Sequence, residues 1–483
     1  MRGAAGLRRA TGAILLFLTL TPAYRLLDEE RIGPFGDAVR VLGDANLGSA
    51  LWGSLLVLAL GFVLARIVPS RRIRSFLAGA GASLRKVPTG RLALAAGLLA
   101  AGLALVVNAH FFHGLPSSVD AMASLLQARY MAAGALGGPV PAEGAAFWII
   151  NTVYTPAGWV SLYPPGHLLL LAAFLAAGIL HAAGPVLLGV GVWAASLVGH
   201  RVLARRPEAA RLGTLLLALS PFLLLLGAGY LSHVSTAAFA ALALLAALKA
   251  REGSAAWAAA AGVAVAGMVL SRPWTGIVLG TCFTAALWAW EAHSALRPRS
   301  WLVRRLAAVT AGGAPFAVLW LAYNRHFFGA PLRLGYAWAF GPAHGLGFHP
   351  DPWGNLYGPV EALGYTAADL LALGAHLLET PVPAVGLVGA YLLLARRLPS
   401  GSGILLTWAL APVVANAFYW HHGFHNGPRM LYAAAPAWIL LAALSMVELA
   451  GGDVFRPRAS PPSPPEDSPV SSEEPPVSSE EPP

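Results

Sequence analysis

Residues 211–250 read RLGTLLLALSPFLLLLGAGYLSHVSTAAFAALALLAALKA, with Arg211 and Lys249 near the two ends and no charged residue between them. A helix needs about 20 apolar residues to cross the hydrocarbon core of a bilayer. The stretch therefore holds two crossings, 211–229 and 231–250, which turn at Tyr230-Leu-Ser-His233. Bases at both outer ends place those ends on one side of the membrane, by the tendency of Lys and Arg to stay in cytoplasmic loops.

The rest of the chain is built the same way. It has 483 residues, 57% of them hydrophobic and 11% charged, against about 25% charged in soluble chains. A soluble enzyme, a disordered chain and a collagen are excluded, and Cys282 has no second cysteine for a disulfide scaffold. The net charge of +10 does not point to nucleic acid, because the bases sit in short clusters between apolar runs.

Twelve apolar stretches read as spans: 11–24, 47–66, 92–109, 185–202, 211–229, 231–250, 255–271, 275–291, 305–323, 382–396, 403–419 and 430–449. The first follows Arg8 and Arg9 and lacks a clean small-residue cleavage site, so it reads as an uncleaved helix rather than a signal peptide. Most of the 32 bases then fall on one side. The densest cluster is Arg66, Arg71, Arg72, Arg74, Arg85, Lys86 and Arg91, and both termini lie inside. The segment 163–184 must be a juxtamembrane or re-entrant helix, since a full crossing there would invert every later loop. The stretch 366–379, with Asp369, His376 and Glu379, reads as interfacial. The expected fold is all-α and polytopic, with about twelve transmembrane helices and juxtamembrane helices in the first long outer loop.

Three regions follow: N-terminal helices with a basic cytoplasmic loop (1–91), a main membrane domain (92–450) and a tail (451–483). The tail is rich in Pro, Ser and Glu, repeats PVSSEEP at 469–475 and 476–482, and has no apolar face to bury.

The outer face collects the polar chemistry: the long loops 110–184 and 324–381, and all His residues except His181, His200 and His293. A carrier places its polar groups near the bilayer midplane, whereas here the polarity gathers at one surface. Five clusters stand out. Asp120 follows Gly114-Leu-Pro-Ser-Ser-Val and is expected to cap an amphipathic helix with Gln127 and Arg129 off its apolar stripe, as a helix cap or as a reactive carboxylate. Tyr163-Pro-Pro-Gly-His167 opens the re-entrant helix, so His167 is a helix-start residue or a ligand. Tyr230 and His233 sit at one outer junction and Arg272, in Ser271-Arg-Pro-Trp-Thr275, at another. A guanidinium there suits phosphate recognition or interfacial anchoring. The last cluster, Tyr419-Trp-His-His-Gly-Phe-His-Asn-Gly-Pro-Arg429, holds three His and an Arg. With no HExxH, no Cys and no carboxylate beside them in sequence, anion binding by Arg429 and His421 or His422 outweighs a metal site, and no metal or cofactor is expected.

In this order, an Asp opening a helix after the third span, YPPGH, Ser220-Pro-Phe through Tyr230-Leu-Ser-His233, SRPxT and HGxxxGPR resemble bacterial glycosyltransferase family 39-like proteins of the GT-C class. That class comprises membrane enzymes that use polyprenyl-phosphate-linked sugars. The resemblance covers roughly residues 90–450. It implies an inverting transfer at the extracytoplasmic face of the cytoplasmic membrane, with Asp120 as the acceptor-side base. It also implies donor-phosphate contacts from Arg272, Arg429, His233 and His421, and substrate contacts from Tyr163, His167, Tyr230, Arg325 and His422. The partners implied are a lipid-linked sugar donor, a glycan, lipid or protein acceptor and the bilayer, with no nucleic acid. The class usually has a second acid after the first; Ala121 stands there in this chain. A lipid-linked-sugar flippase and a non-catalytic scaffold of the same class are the competing readings.

Overall fold

The computed structural model describes residues 2–27, 34–67, 83–293, 299–380, 382–395, 397–423 and 426–450. The expected tail, the bases Arg71, Arg72 and Arg74, and His425 lie outside the described residues. All twelve apolar stretches are helical. In chain order the helices of seven residues or more are α1 (Arg2–Leu20), α2 (Pro34–Ile67), α3 (Thr89–Val107), α4 (Val119–Ala132), α5 (Pro165–Ala176), α6 (Ala183–Val202), α7 (Pro207–Leu219) and α8 (Pro221–Gly227). There follow α9 (Ser232–Ala250), α10 (Ala255–Ser271), α11 (Pro273–His293), α12 (Arg299–Phe328), α13 (Pro359–His376), α14 (Ala384–Leu394), α15 (Ser402–Asn416) and α16 (Ala435–Ala450). The only strands among the described residues form one hairpin, β1 (Thr152–Thr155) and β2 (Gly158–Ser161). The all-α membrane class is therefore as expected.

Length sorts the helices. Among the described residues six are long and apolar enough to cross a bilayer alone, and α7 with α8 forms a seventh, bent by 43°. Four more, α5, α10, α14 and α15, are apolar but shorter. The bend corrects the reading of 211–229 as one straight span. Ser220 precedes Pro221 and is extended (ψ 115°), because a residue before proline is pushed out of the helical region. Its hydroxyl accepts from Leu223 N and donates to the Leu377 carbonyl, so the broken turn stays hydrogen-bonded. At 1.5 Å per residue the twelve-residue α5 and the eleven-residue α14 are both less than about 20 Å long, too short for a core of about 30 Å; α5 was expected not to cross, whereas 382–396 was expected to span.

The core runs through α6, α7, α9, α15 and α16, around Trp408, Trp438, Leu244 and Leu440. Without water to squeeze out, membrane helices associate by close packing of small residues. Gly262 on α10 shows this: an added Cβ would sit 1.9 Å from the Val309 carbonyl of α12, and one on Gly312 would sit 2.1 Å from the Ala259 carbonyl. The basic loops share one end of the bundle. Arg211 donates to carbonyls of Leu84 and Val87, Arg201 faces Glu252, and Arg206 pairs with Glu448. The polar loops gather at the other end.

Candidate functional site

Asp120 lies in the first turn of α4, but it is not the cap. Ser118, extended at φ −156° and ψ 160°, accepts the Ala121 N–H and closes the helix start. That frees the Asp120 carboxylate, which the helix N-terminus favours in its charged form. The amphipathic expectation for α4 also needs correction. Its buried face is Ala121, Ala123, Ser124, Leu125, Gln127 and Ala128, while Met122 is exposed. Gln127 is fully buried because it is fully used: its amide donates to the Leu136 carbonyl and Tyr323 Oη, and its oxygen accepts from Ser161 N. Ala121 packs with Leu125, Leu171 and Tyr230. The site is thus built around one carboxylate, and a second acid at 121 would point into that apolar cluster.

Four side chains converge on Asp120. Arg429 Nη1 is 2.5 Å from Oδ2, and Asn151 Nδ2 is 2.7 Å from Oδ1. Tyr163 donates a hydrogen bond, and His421 adds electrostatic pull. Burial alone would raise the Asp120 pKa; Arg429's charge and the Tyr163 and Arg429 hydrogen bonds outweigh it and hold the carboxyl below the usual range. Burial, with Asp120 beside it, pushes the Tyr163 phenol well up, so it stays a donor. Asn151 was not singled out from the sequence. It stands just before β1 with φ 68°, a left-handed conformation that Asn tolerates better than most residues.

Arg429 begins a 3-10 turn ahead of α16, and α9 packs against that turn. Only 2% exposed, the guanidinium is satisfied by Asp120, by the Gly423 carbonyl at 3.1 Å from Nε and by His421 Nε2 at 3.5 Å from Nη2. The glycine of the HG pair has a reason: Gly423 has φ 63°, and a Cβ there would lie 2.7 Å from Arg429 Nε. His421 and His422 diverge, as expected for adjacent residues. His422 is buried, with Nδ1 2.6 Å from Asp369 Oδ2, Nε2 3.2 Å from Tyr357 Oη and its ring stacked on Tyr365 at 4.6 Å. The carboxylate absent from the local sequence is supplied by α13, 53 residues away. Asp369 was not singled out as a site residue, whereas Tyr357 was expected, with His349, Asp351 and Glu361, as a candidate sugar or acceptor contact.

Arg272 is the corner between α10 and α11, extended ahead of Pro273. Its Nη2 lies 2.8 Å from Met430 Sδ, one residue beyond Arg429. Among the described residues no carboxylate pairs with Arg272. It lines a cavity of about 390 Å³ whose walls include Trp274, Ile277, Leu334, Tyr336, His344 and Tyr419. Tyr336 packs edge-on against Tyr163 at 5.7 Å, which ties this cavity to the Asp120 cluster. Burial lowers the His344 pKa to about 4, so that ring is neutral at physiological pH.

The remaining expected residues are placed differently. His167 and Tyr230 are buried and spent on backbone: His167 Nε2 is 2.9 Å from the Tyr230 carbonyl, and Tyr230 Oη donates to the Gly114 carbonyl. Together they tie α5 to the loop that presents Asp120. His233 is buried in the first turn of α9. Arg325 is exposed near the end of α12, where the neighbouring Asn324 is buried and donates to the Pro331 carbonyl. Among the described residues no three His, Cys, Asp or Glu side chains are grouped to hold a metal ion.

No protein-family profile matches the chain, and no curated protein matches it. It is similar to several solved structures. ArnT from Cupriavidus metallidurans bound to undecaprenyl phosphate aligns at 14% identity over 76% of this chain and 62% of that one, with a TM-score of 0.47. The oligosaccharyltransferase of Archaeoglobus fulgidus, in complex with zinc and sulfate, aligns at 16% identity over 75% and 50%, with a TM-score of 0.37. The archaeal oligosaccharyltransferase AglB from the same organism, in complex with an inhibitory peptide and a dolichol-phosphate, aligns at 15% identity over 78% and 53%, with a TM-score of 0.34. The chain thus spans between 50% and 62% of the length of these structures.

Proposed function

We propose that the chain is a membrane glycosyltransferase that moves a sugar from a polyprenyl-phosphate donor to a hydroxyl acceptor at the extracytoplasmic face of the cytoplasmic membrane. The observation that carries this reading is the placement of two opposite chemistries side by side. A charged carboxylate is fixed by Arg429, and a second guanidinium, Arg272, lines an otherwise largely apolar cavity next to it.

An amphiphile with a phosphate head fits that cavity. Arg272 offers the phosphate a bidentate partner, and Trp274, Ile277, Leu332 and Leu334 offer the chain an apolar wall. The reading divides the two guanidinium groups. Arg429 is spent on Asp120, so it orients the carboxylate, and Arg272 takes the phosphate. In the transfer, the acceptor oxygen attacks the anomeric carbon and the bond from that carbon to the phosphate oxygen breaks. The electron pair leaves with the phosphate, giving polyprenyl phosphate and an inverted glycoside. The acceptor's proton passes to Asp120 and then to water. A carboxylate held ionised is a modest base, so its work is to align the hydroxyl and accept its proton as charge develops.

The test uses membranes carrying the full chain and radiolabelled polyprenyl-phosphate sugars. Label should leave the lipid with the wild type and remain on it with Asp120→Asn and Arg272→Ala. Undiminished transfer by Asp120→Asn would refute the role of the carboxylate. Passage of the labelled lipid across the bilayer without loss of label would favour the flippase reading.

A further inference from the structure

A second cavity, of about 260 Å³, adjoins the site on the far side of residues 420–423. The chain alternates as a partition: Tyr419 lines the Arg272 cavity, and Trp420, His421, His422 and Gly423 line the other. His344, in the first cavity, meets Trp420 edge-on at 5.2 Å across this wall. We propose that this second cavity is the acceptor chamber and that it takes a neutral saccharide; the assignment rests on the transferase reading above.

The chemistry of the lining carries the class of ligand. Trp353, Tyr357, Tyr365 and Trp420 supply aromatic walls, and no Lys or Arg is among the lining residues. A phosphate or carboxylate ligand would find no cation there. The carboxylate of Asp351 is occupied, since it accepts from Trp353 N, Asn355 N and Asn355 Nδ2. Its role is to shape the wall, and it leaves no free charge for a cationic ligand. A purely apolar chain fits poorly too. Asn355, His421 and His422 stand among the rings of the lining, so an apolar occupant would cover polar groups of the wall without pairing them. A sugar ring answers both demands: its C–H face packs on indole and phenol rings while its hydroxyls meet amide and imidazole groups. Position completes the case. His421 lines the chamber and reaches Arg429 at 3.5 Å, so one side chain stands between the chamber and the Asp120–Arg429 pair.

The experiment uses the purified full chain in lipid nanodiscs. Saturation-transfer NMR follows a panel of neutral methyl hexosides, methyl pentosides and disaccharides, and undecaprenyl phosphate is titrated separately. At least one neutral glycoside should bind saturably and weaken tenfold or more in Trp420→Ala and Trp353→Ala. Trp353 is 63% exposed, so its replacement leaves a folded protein even if the buried Trp420 does not tolerate change. Both variants should keep undecaprenyl phosphate binding, and Arg272→Ala should lose it while keeping the glycoside. Saccharide binding that no panel member shows, or that ignores Trp353, overturns the chamber. Lipid binding that ignores Arg272, with saccharide binding still dependent on Trp353, overturns the donor reading and leaves the chamber standing.

Discussion

Asp120 and Arg429 come from opposite ends of the membrane domain, 309 residues apart, and the part-buried carboxylate is the counter-charge of a guanidinium that is only 2% exposed. Removing one member of such a pair leaves a desolvated charge, which costs about 3–5 kcal/mol. Asp120→Asn should therefore lower thermal stability as well as abolish transfer, and pairing it with Arg429→Met should restore part of the stability but none of the transfer. The pH dependence follows from the depressed carboxyl pKa. A group held below its unfolded value contributes stability that is present above that value, about pH 4, and is lost as pH falls through the folded one. The wild type's advantage in Tm over Asp120→Asn should thus be constant from about pH 7 to 5 and shrink below about pH 4. A constant advantage down to the lowest pH tolerated would show that the carboxylate is not the group involved.

At the scale of elements, what was legible in sequence was whatever has a local cause. Apolar length placed a helix at each of the twelve stretches, and the prolines of Tyr163-Pro-Pro-Gly-His167 marked the start of α5. What was not legible is set by partners distant in sequence. Nothing near His422 announces Asp369 on α13, and nothing near Asp120 announces Asn151 at the mouth of the hairpin. Gln127 looked like a solvated residue because its three partners lie on other segments. Ser118 took the capping role expected of Asp120, since a hydroxyl two residues earlier reaches the Ala121 N–H. The close crossing of α10 and α12 gives an element-scale prediction. Gly262→Val drives a side chain into the Val309 carbonyl and should destabilise by about 1–3 kcal/mol, read as a lower Tm in detergent. An unchanged Tm would mean that the two helices do not cross so closely.

Across the whole molecule, the basic loops and the polar site lie at opposite ends of the bundle, with α9 running from Ser232 at the site end to Ala250 near Glu252 at the other. In a Cys282→Ser background, cysteines at Leu346 and Trp353 should react with a membrane-impermeant thiol reagent added outside cells. A cysteine at Glu252 should react only after permeabilisation. The opposite pattern would put the site in the cytoplasm and remove the proposed extracytoplasmic transfer. The most direct test of the account is a structure of the chain with undecaprenyl phosphate bound. The account predicts the phosphate within hydrogen-bonding distance of Arg272, its chain along Trp274 and Ile277, and the Asp120–Arg429 pair intact beside it. A phosphate seated on Arg429 with Asp120 displaced, or one bound away from Arg272 altogether, would contradict it.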